Sequence, residues 1–191
     1  MEAFLTSAAL VAIAEIGDKT QLLAIVLATR FRRPWPIVAG IFVATLANHF
    51  LAALVGEQAA SFLEGTWFRY LVAASFILMA GWTLIPDTFD EGEQKPARFG
   101  AFLTTLVAFF LVEMGDKTQI ATVALAARFP ADFIGVVAGT TFGMMVANVP
   151  AVLIGGKLAQ KLPVKLVHTV AAIIFAVLGV LTLLAGDALL G

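Results

Sequence analysis

A chain of 191 residues in which 61% are hydrophobic and only 13% charged departs from soluble domains, where about 25% of residues are charged. Twelve Lys and Arg with thirteen Asp and Glu cannot cover a core of this size with polar surface, and a mean hydropathy of +0.98 points to lipid. A net charge of -1 without a basic run excludes a nucleic-acid footprint, and the absence of cysteine excludes disulfides, thiolate metal sites and thiol catalysis.

Crossing a hydrocarbon layer of ~30 Å takes about 20 apolar residues, and the chain offers six such runs: 3–29, 36–57, 69–86, 99–127, 132–156 and 166–187. The first is too long, and carries too many charges, for the core of a signal peptide, so it is expected to be kept as a helix. Its centre falls at Ile16, among Glu15, Asp18 and Lys19, and RFRRPW (Arg30 to Trp35) follows it. The second run holds Asn48 and His49 at its middle. The third ends at Pro86, where the acidic stretch PDTFDEGEQKPAR begins, with Asp87, Asp90, Glu91 and Glu93; this reads as a solvated linker more readily than as a cation-attracting loop. The fourth run is centred at Glu113. The fifth carries Asn148 and the series Gly135, Gly139, Gly143, with Gly40 and Ala44 as its echo in the second run, a pattern of close helix packing. Lys157 to Lys165 leads to the last run. Pro34, Pro36, Pro86, Pro96, Pro130 and Pro163 fall near the boundaries, and Trp35, Trp67 and Trp82 lie near run ends, as interfacial anchors do. Runs this long and uniformly apolar disfavour a β-barrel, whose strands are segments of about 10 residues with alternating polarity.

The halves repeat. Glu15 to Gln21 reads EIGDKTQ and Glu113 to Gln119 reads EMGDKTQ, six of seven positions identical at an offset of 98. Arg30-Phe31 aligns with Arg128-Phe129, Ala39-Gly40 with Ala138-Gly139, Ala47-Asn48 with Ala147-Asn148, and Leu54-Val55-Gly56 with Leu153-Ile154-Gly155. Three helices per copy is an odd number, so the second copy enters the membrane from the opposite side. The expected fold is therefore an all-α polytopic membrane protein of six transmembrane helices, arranged as two inverted-topology three-helix repeats. Residues 1–86 form the first repeat, 87–98 a cytoplasmic acidic linker and 99–191 the second repeat. Transporters built this way place the substrate near the midplane between the halves. With the N-terminus on one side, the other side carries Arg30, Arg32, Arg33, Lys95, Arg98, Lys157, Lys161 and Lys165, against Arg69 and Arg128; the positive-inside rule then puts both termini on the non-cytoplasmic side.

Both motifs fall about halfway across, where each Asp or Lys costs roughly 2.5 to 3.5 kcal/mol. On an unbroken helix Glu15 and Asp18 share a face, and Glu15 and Lys19 are partners at i, i+4. Two such stripes facing each other form a cavity with four carboxylates, Glu15, Asp18, Glu113 and Asp116, read as ion ligands and proton carriers. Gln21, Gln119, Thr20, Thr118, Asn48 and Asn148 are secondary oxygen donors. Lys19 and Lys117 are expected to tune the acids by pairing with Glu15 and Glu113, or to substitute for the cation in the empty state. Gly17 and Gly115 remove bulk, so that a neighbour can approach or the helix can bend. Hard oxygen donors suit Ca²⁺ or Mn²⁺, while the shortage of soft ligands argues against Zn²⁺ or Cu⁺. The two motifs sum to a charge of -2, which one divalent ion neutralises; when the metal leaves, crowded carboxylates discharge by taking protons, and this competition is the minimal mechanism of an antiporter. Protons and the transported ion apart, no cofactor is implied. His49 faces Val149 in the alignment and reads as a satisfied side chain.

Two copies of Glu-x-Gly-Asp-Lys-Thr in a six-run hydrophobic chain with an acidic central stretch resemble the Gdt-type family of cation/proton exchangers, which includes Golgi manganese and calcium transporters, thylakoid manganese transporters and bacterial manganese exporters. The resemblance spans nearly the whole chain. It implies export of Mn²⁺ or Ca²⁺ from the cytosol against protons, with Glu15, Gly17, Asp18, Lys19, Thr20 and Glu113, Gly115, Asp116, Lys117, Thr118 forming the transport site. Lacking a long N-terminal extension, the chain looks like a compact prokaryotic form, which implies a plasma (inner) membrane location. The partners expected are the metal ion and the lipid bilayer; one copy suffices for the site, and a homo-oligomer is compatible with it. The main rival is a small amino-acid or metabolite exporter of similar architecture, in which Lys and Asp groups bind a zwitterion; it would leave several carboxylates uncompensated. A membrane scaffold would offer little loop surface. An enzyme is not expected, since neither a nucleophile with its base nor a cofactor motif is present.

Overall fold

The computed structural model describes residues 1–62, 66–85, 100–154 and 164–184. Among them the secondary structure is entirely helical: α1 (Glu2–Ala14), α2 (Lys19–Phe31), α3 (Pro34–Phe62), α4 (Thr66–Thr83), α5 (Ala101–Glu113), α6 (Lys117–Arg128), a 3-10 turn at Pro130–Asp132, α7 (Phe133–Ile154) and α8 (Val164–Leu184). Three stretches are long and apolar enough to cross a membrane: Pro34–Phe62, Pro130–Ile154 and Lys165–Leu184. Glu2–Ala14 and Ala101–Glu113 are shorter apolar helices.

The runs 3–29 and 99–127, expected as single helices, are each two helices joined by a break. The motif itself makes the break. Gly17 and Gly115 have φ of 83° and 79°, a left-handed conformation that costs other residues roughly 1–2 kcal/mol. The next residues, Asp18 and Asp116, are extended, with φ/ψ of -76°/166° and -77°/167°, and occupy the N-cap positions of α2 and α6. Gln21 Oε1 accepts the Gly17 N–H at 3.0 Å, and Gln119 Oε1 accepts the Gly115 N–H at 2.6 Å. Each glutamine thus reaches back one turn to satisfy an amide that the break has orphaned. Gly115 is needed for conformation and not for room, since a Cβ there would meet nothing within 4 Å.

Packing is reciprocal between the halves. α1 and α2 lie against α7, α5 and α6 lie against α3, and α4 packs on α8. Small residues permit the first two contacts. A Cβ on Gly40 of α3 would come 2.8 Å from the Phe102 carbonyl oxygen of α5, and one on Gly139 of α7 would come 2.5 Å from that of Phe4 on α1. Gly143 meets the Ala8 carbonyl in the same way. Gly135 belongs to a different arrangement: its space is filled by Asp132, which caps the start of α7 by accepting the Gly135 N–H.

Polarity is distributed inside out. Glu15, Asp18, Asn48, His49, Glu113, Asp116 and Asn148 are buried, whereas Phe42, Phe50, Val55, Leu78 and Ile173 are exposed, the arrangement expected where lipid is the outer solvent. Trp35, Trp67 and Trp82 stand within two residues of the ends of α3 or α4. Arg128, expected in a loop, is instead the buried last residue of α6 and donates to Thr182 Oγ1 of α8 at 2.6 Å. The acidic stretch 87–98, with Lys95 and Arg98, lies outside the described residues, as do Gly155, Lys157, Lys161 and Pro163.

Candidate functional site

The two breaks meet in the interior. Glu15 closes α1 and Glu113 closes α5, while Asp18 and Asp116 precede α2 and α6. Two helix C-termini and two helix N-termini therefore converge, so carbonyl ends that favour a cation lie beside amide ends that favour carboxylates. One carboxylate oxygen from each of Glu15, Glu113 and Asp116 lies within 4.8 Å of the others, and all three residues are buried.

The glutamates are equivalent in sequence but not in environment. Glu15 Oε2 accepts from Thr20 at 2.6 Å, and Glu15 Oε1 accepts from Thr118, so one threonine of each motif serves the same carboxylate. Neither oxygen of Glu113 has a hydrogen-bond partner among the described residues, nor has Asp116 Oδ2. Asp116 Oδ1 is held by Lys19 Nζ at 2.8 Å. The expected Glu15–Lys19 partnership is absent, because i, i+4 geometry requires a continuous helix and the break at Gly17 sends Lys19 to the other motif's aspartate. Lys117 likewise does not pair with Glu113: its Nζ donates to the Ile85 carbonyl beyond α4 at 2.9 Å. Three carboxylates with one ammonium, Lys19, leave the cluster a formal charge of -2.

Asp18 is buried but stands outside the three-carboxylate cluster. It accepts the Thr20 N–H as a helix cap at 3.5 Å and lines a small cavity with Lys117, Thr118, Thr83 and His168. His168 Nε2 in turn lies 3.1 Å from the Ile16 carbonyl oxygen exposed by the first break. Of the secondary donors, Thr20 and Thr118 point their hydroxyls at Glu15. Gln21 and Gln119 are engaged with the break glycines, and Gln21 Nε2 also reaches the Ala147 carbonyl at 3.1 Å. Asn48 donates to the Phe110 carbonyl at 3.0 Å, and Asn148 to the Met144 carbonyl at 3.1 Å. The Oδ1 atoms of both asparagines are buried without a hydrogen-bond partner among the described residues.

His49 lies beside the cluster. It is fully buried on α3, neither ring nitrogen has a hydrogen-bond partner among the described residues, and Nε2 lies 3.9 Å from Glu113 Oε1. The expectation of a satisfied histidine is thus corrected. Its mid-run position beside Asn48 was the available signal.

Residues 3–91 and 101–189 match the family model described as divalent cation/proton antiporter GDT1. A Vibrio cholerae protein described as a "putative manganese exporter" is 49% identical over 172 residues, covering 90% of this chain and 86% of that protein. A GDT1-like protein of Synechocystis is 30% identical, covering 95% of this chain and 97% of its own length, and one of Arabidopsis thaliana is 29% identical with 96% of each covered. No solved structure matches.

Proposed function

The chain belongs to the GDT1 family of divalent cation/proton antiporters, membrane transporters and not enzymes, and on that premise we propose that it exports Mn²⁺, or Ca²⁺, from the cytosol in exchange for protons. The observation that carries the proposal is the meeting of Glu15, Glu113 and Asp116, drawn from both motifs, at one buried point of formal charge -2. A divalent ion discharges that point, and so do two protons, but both together would overcharge it. Exclusive occupancy by one or the other is the coupling that exchange requires.

Glu113 and Asp116 supply the unpartnered oxygens that receive the ion. Glu15 completes the cluster, held in place by Thr20 and Thr118. Asp18 is the counterpart of Asp116 and joins the ion path from the neighbouring cavity. Asn48 and Asn148 are further donors, on the strength of their unpartnered oxygens. Mn²⁺ is favoured because the Vibrio cholerae relative carries that ion in its description. Reciprocal packing of each broken helix pair on the other half's long helix supports two repeats of inverted topology and six crossings, four by continuous or nearly continuous helices and two by broken pairs. The excess of Lys and Arg in the connections of one side supports termini on the non-cytoplasmic side, and the Vibrio cholerae relative supports a prokaryotic plasma membrane.

In reconstituted vesicles an imposed proton gradient should drive Mn²⁺ against its own gradient. Metal movement indifferent to the proton gradient would contradict exchange, and a competition between Mn²⁺ and Ca²⁺ in the same vesicles identifies the preferred ion.

A further inference from the structure

We infer that His49 is a ligand of the transported ion and biases the site toward Mn²⁺ over Ca²⁺; the inference rests on the transport reading above. An imidazole buried with both nitrogens unbonded is unusual, because native interiors satisfy nearly all such groups. In this protein the deficit adjoins another, as both oxygens of Glu113 are also unpartnered among the described residues. The separation of His49 Nε2 from Glu113 Oε1, 3.9 Å, is too long for a hydrogen bond. It suits two donors on one ion, since donors each about 2.2 Å from a metal stand roughly 3.1 to 4.4 Å apart. Protein groups that lack partners toward each other and face each other at that spacing are a receptor for a third body.

The chemistry of the donor decides which body. Ca²⁺ and Mg²⁺ draw their ligands from oxygen, whereas imidazole nitrogen binds first-row transition metals. The three carboxylates do not discriminate between Ca²⁺ and Mn²⁺; one nitrogen does. Only the first repeat contributes it, because Val149 stands at the aligned place in the second. His49 stands outside the group of Glu15, Glu113 and Asp116 oxygens that lie within 4.8 Å of one another and approaches it only at Glu113, so the ion is held off the pseudo-symmetric centre, on the Glu113 edge, which agrees with Glu15 having both oxygens already occupied by threonine hydroxyls. α3 packs against α5 and α6, so His49 rides on the element that braces the second break.

Pulsed electron paramagnetic resonance on the purified protein loaded with Mn²⁺ alone reads a directly bound nitrogen as ¹⁴N modulation of the electron spin echo. The expected result is modulation in the wild type, its loss in His49→Gln and its retention in His168→Gln. In vesicles the ratio of Mn²⁺ to Ca²⁺ flux should fall about tenfold in His49→Gln. Bound Mn²⁺ without nitrogen modulation in the wild type overturns the assignment even if no variant folds. Modulation surviving in His49→Gln, or a parallel fall of both fluxes with an unchanged ratio, does the same. A wild type that binds and carries neither ion overturns the transport reading and this inference together, whereas transport without nitrogen coupling overturns the ligand assignment alone.

Discussion

Lys19 of the first motif holds Asp116 of the second, with Nζ 2.8 Å from Oδ1. The pair ties the two breaks together across the interior, and it offsets one of the three negative charges of the carboxylate cluster.

Lys19→Met should therefore loosen the protein and alter transport together. Lys19 is a quarter exposed and Asp116 is buried, so losing the lysine leaves a buried carboxylate unpaired at a cost of about 1 to 3 kcal/mol, which corresponds to a fall in Tm of about 2 to 12 °C for a chain of this size. Thermal unfolding in detergent checks it. Asp116→Asn keeps a hydrogen-bond acceptor for Lys19 and should unfold within a few degrees of the wild type, yet lose Mn²⁺ transport. Equal Tm losses in the two variants would contradict the separate roles given to the lysine and the carboxylate.

The break should be sensitive to backbone conformation and indifferent to size. At Gly115, where φ is 79° and a Cβ meets nothing, Ala should cost about 1 to 2 kcal/mol and impair transport. Asn, which visits the left-handed region more readily, should recover much of both. If Ala and Asn are equally well tolerated, the positive φ is not what the position requires.

Helix packing predicts the reverse dependence at other glycines. Gly139→Val would push a side chain into the backbone of α1 and should abolish stable expression or lower Tm sharply. Gly81 of α4 has open space where a Cβ would stand, and Gly81→Ala should be neutral or add roughly 0.5 to 1 kcal/mol by favouring helix. Expression level and Tm of the two variants, measured side by side, test the contrast.

The helical, apolar character of the chain, the tryptophans at helix ends and the duplicated motif with its buried acids were legible in the sequence. The break inside the motif was harder to see, because apolar residues continue on both sides of Glu15 to Lys19. The signal for it was nevertheless present: a glycine followed by an aspartate is a helix stop followed by an N-cap. Reading 3–29 as one helix made Glu15 and Lys19 partners; once broken, the chain directs Lys19 to a residue 97 positions away, and no local pattern encodes that. The inequivalence of Glu15 and Glu113 was invisible for a related reason. It depends on Thr20 and Thr118 both turning to one carboxylate and on His49 approaching the other, contacts made only when the halves assemble. Val149 stands at the place of His49 in the second copy, so the repeat itself gives no signal for the approach of His49 to Glu113.

The central claim is that one buried carboxylate cluster exchanges metal for protons. Its most direct test is lumenal pH in vesicles loaded with Mn²⁺ and diluted into metal-free buffer, with wild type and Glu113→Gln compared at equal, folded reconstitution. Metal leaving through the wild type is expected to acidify the lumen as protons enter, and Glu113→Gln is expected to do neither. Mn²⁺ efflux through the wild type without acidification, or Glu113→Gln exchanging at the wild-type rate, would contradict it.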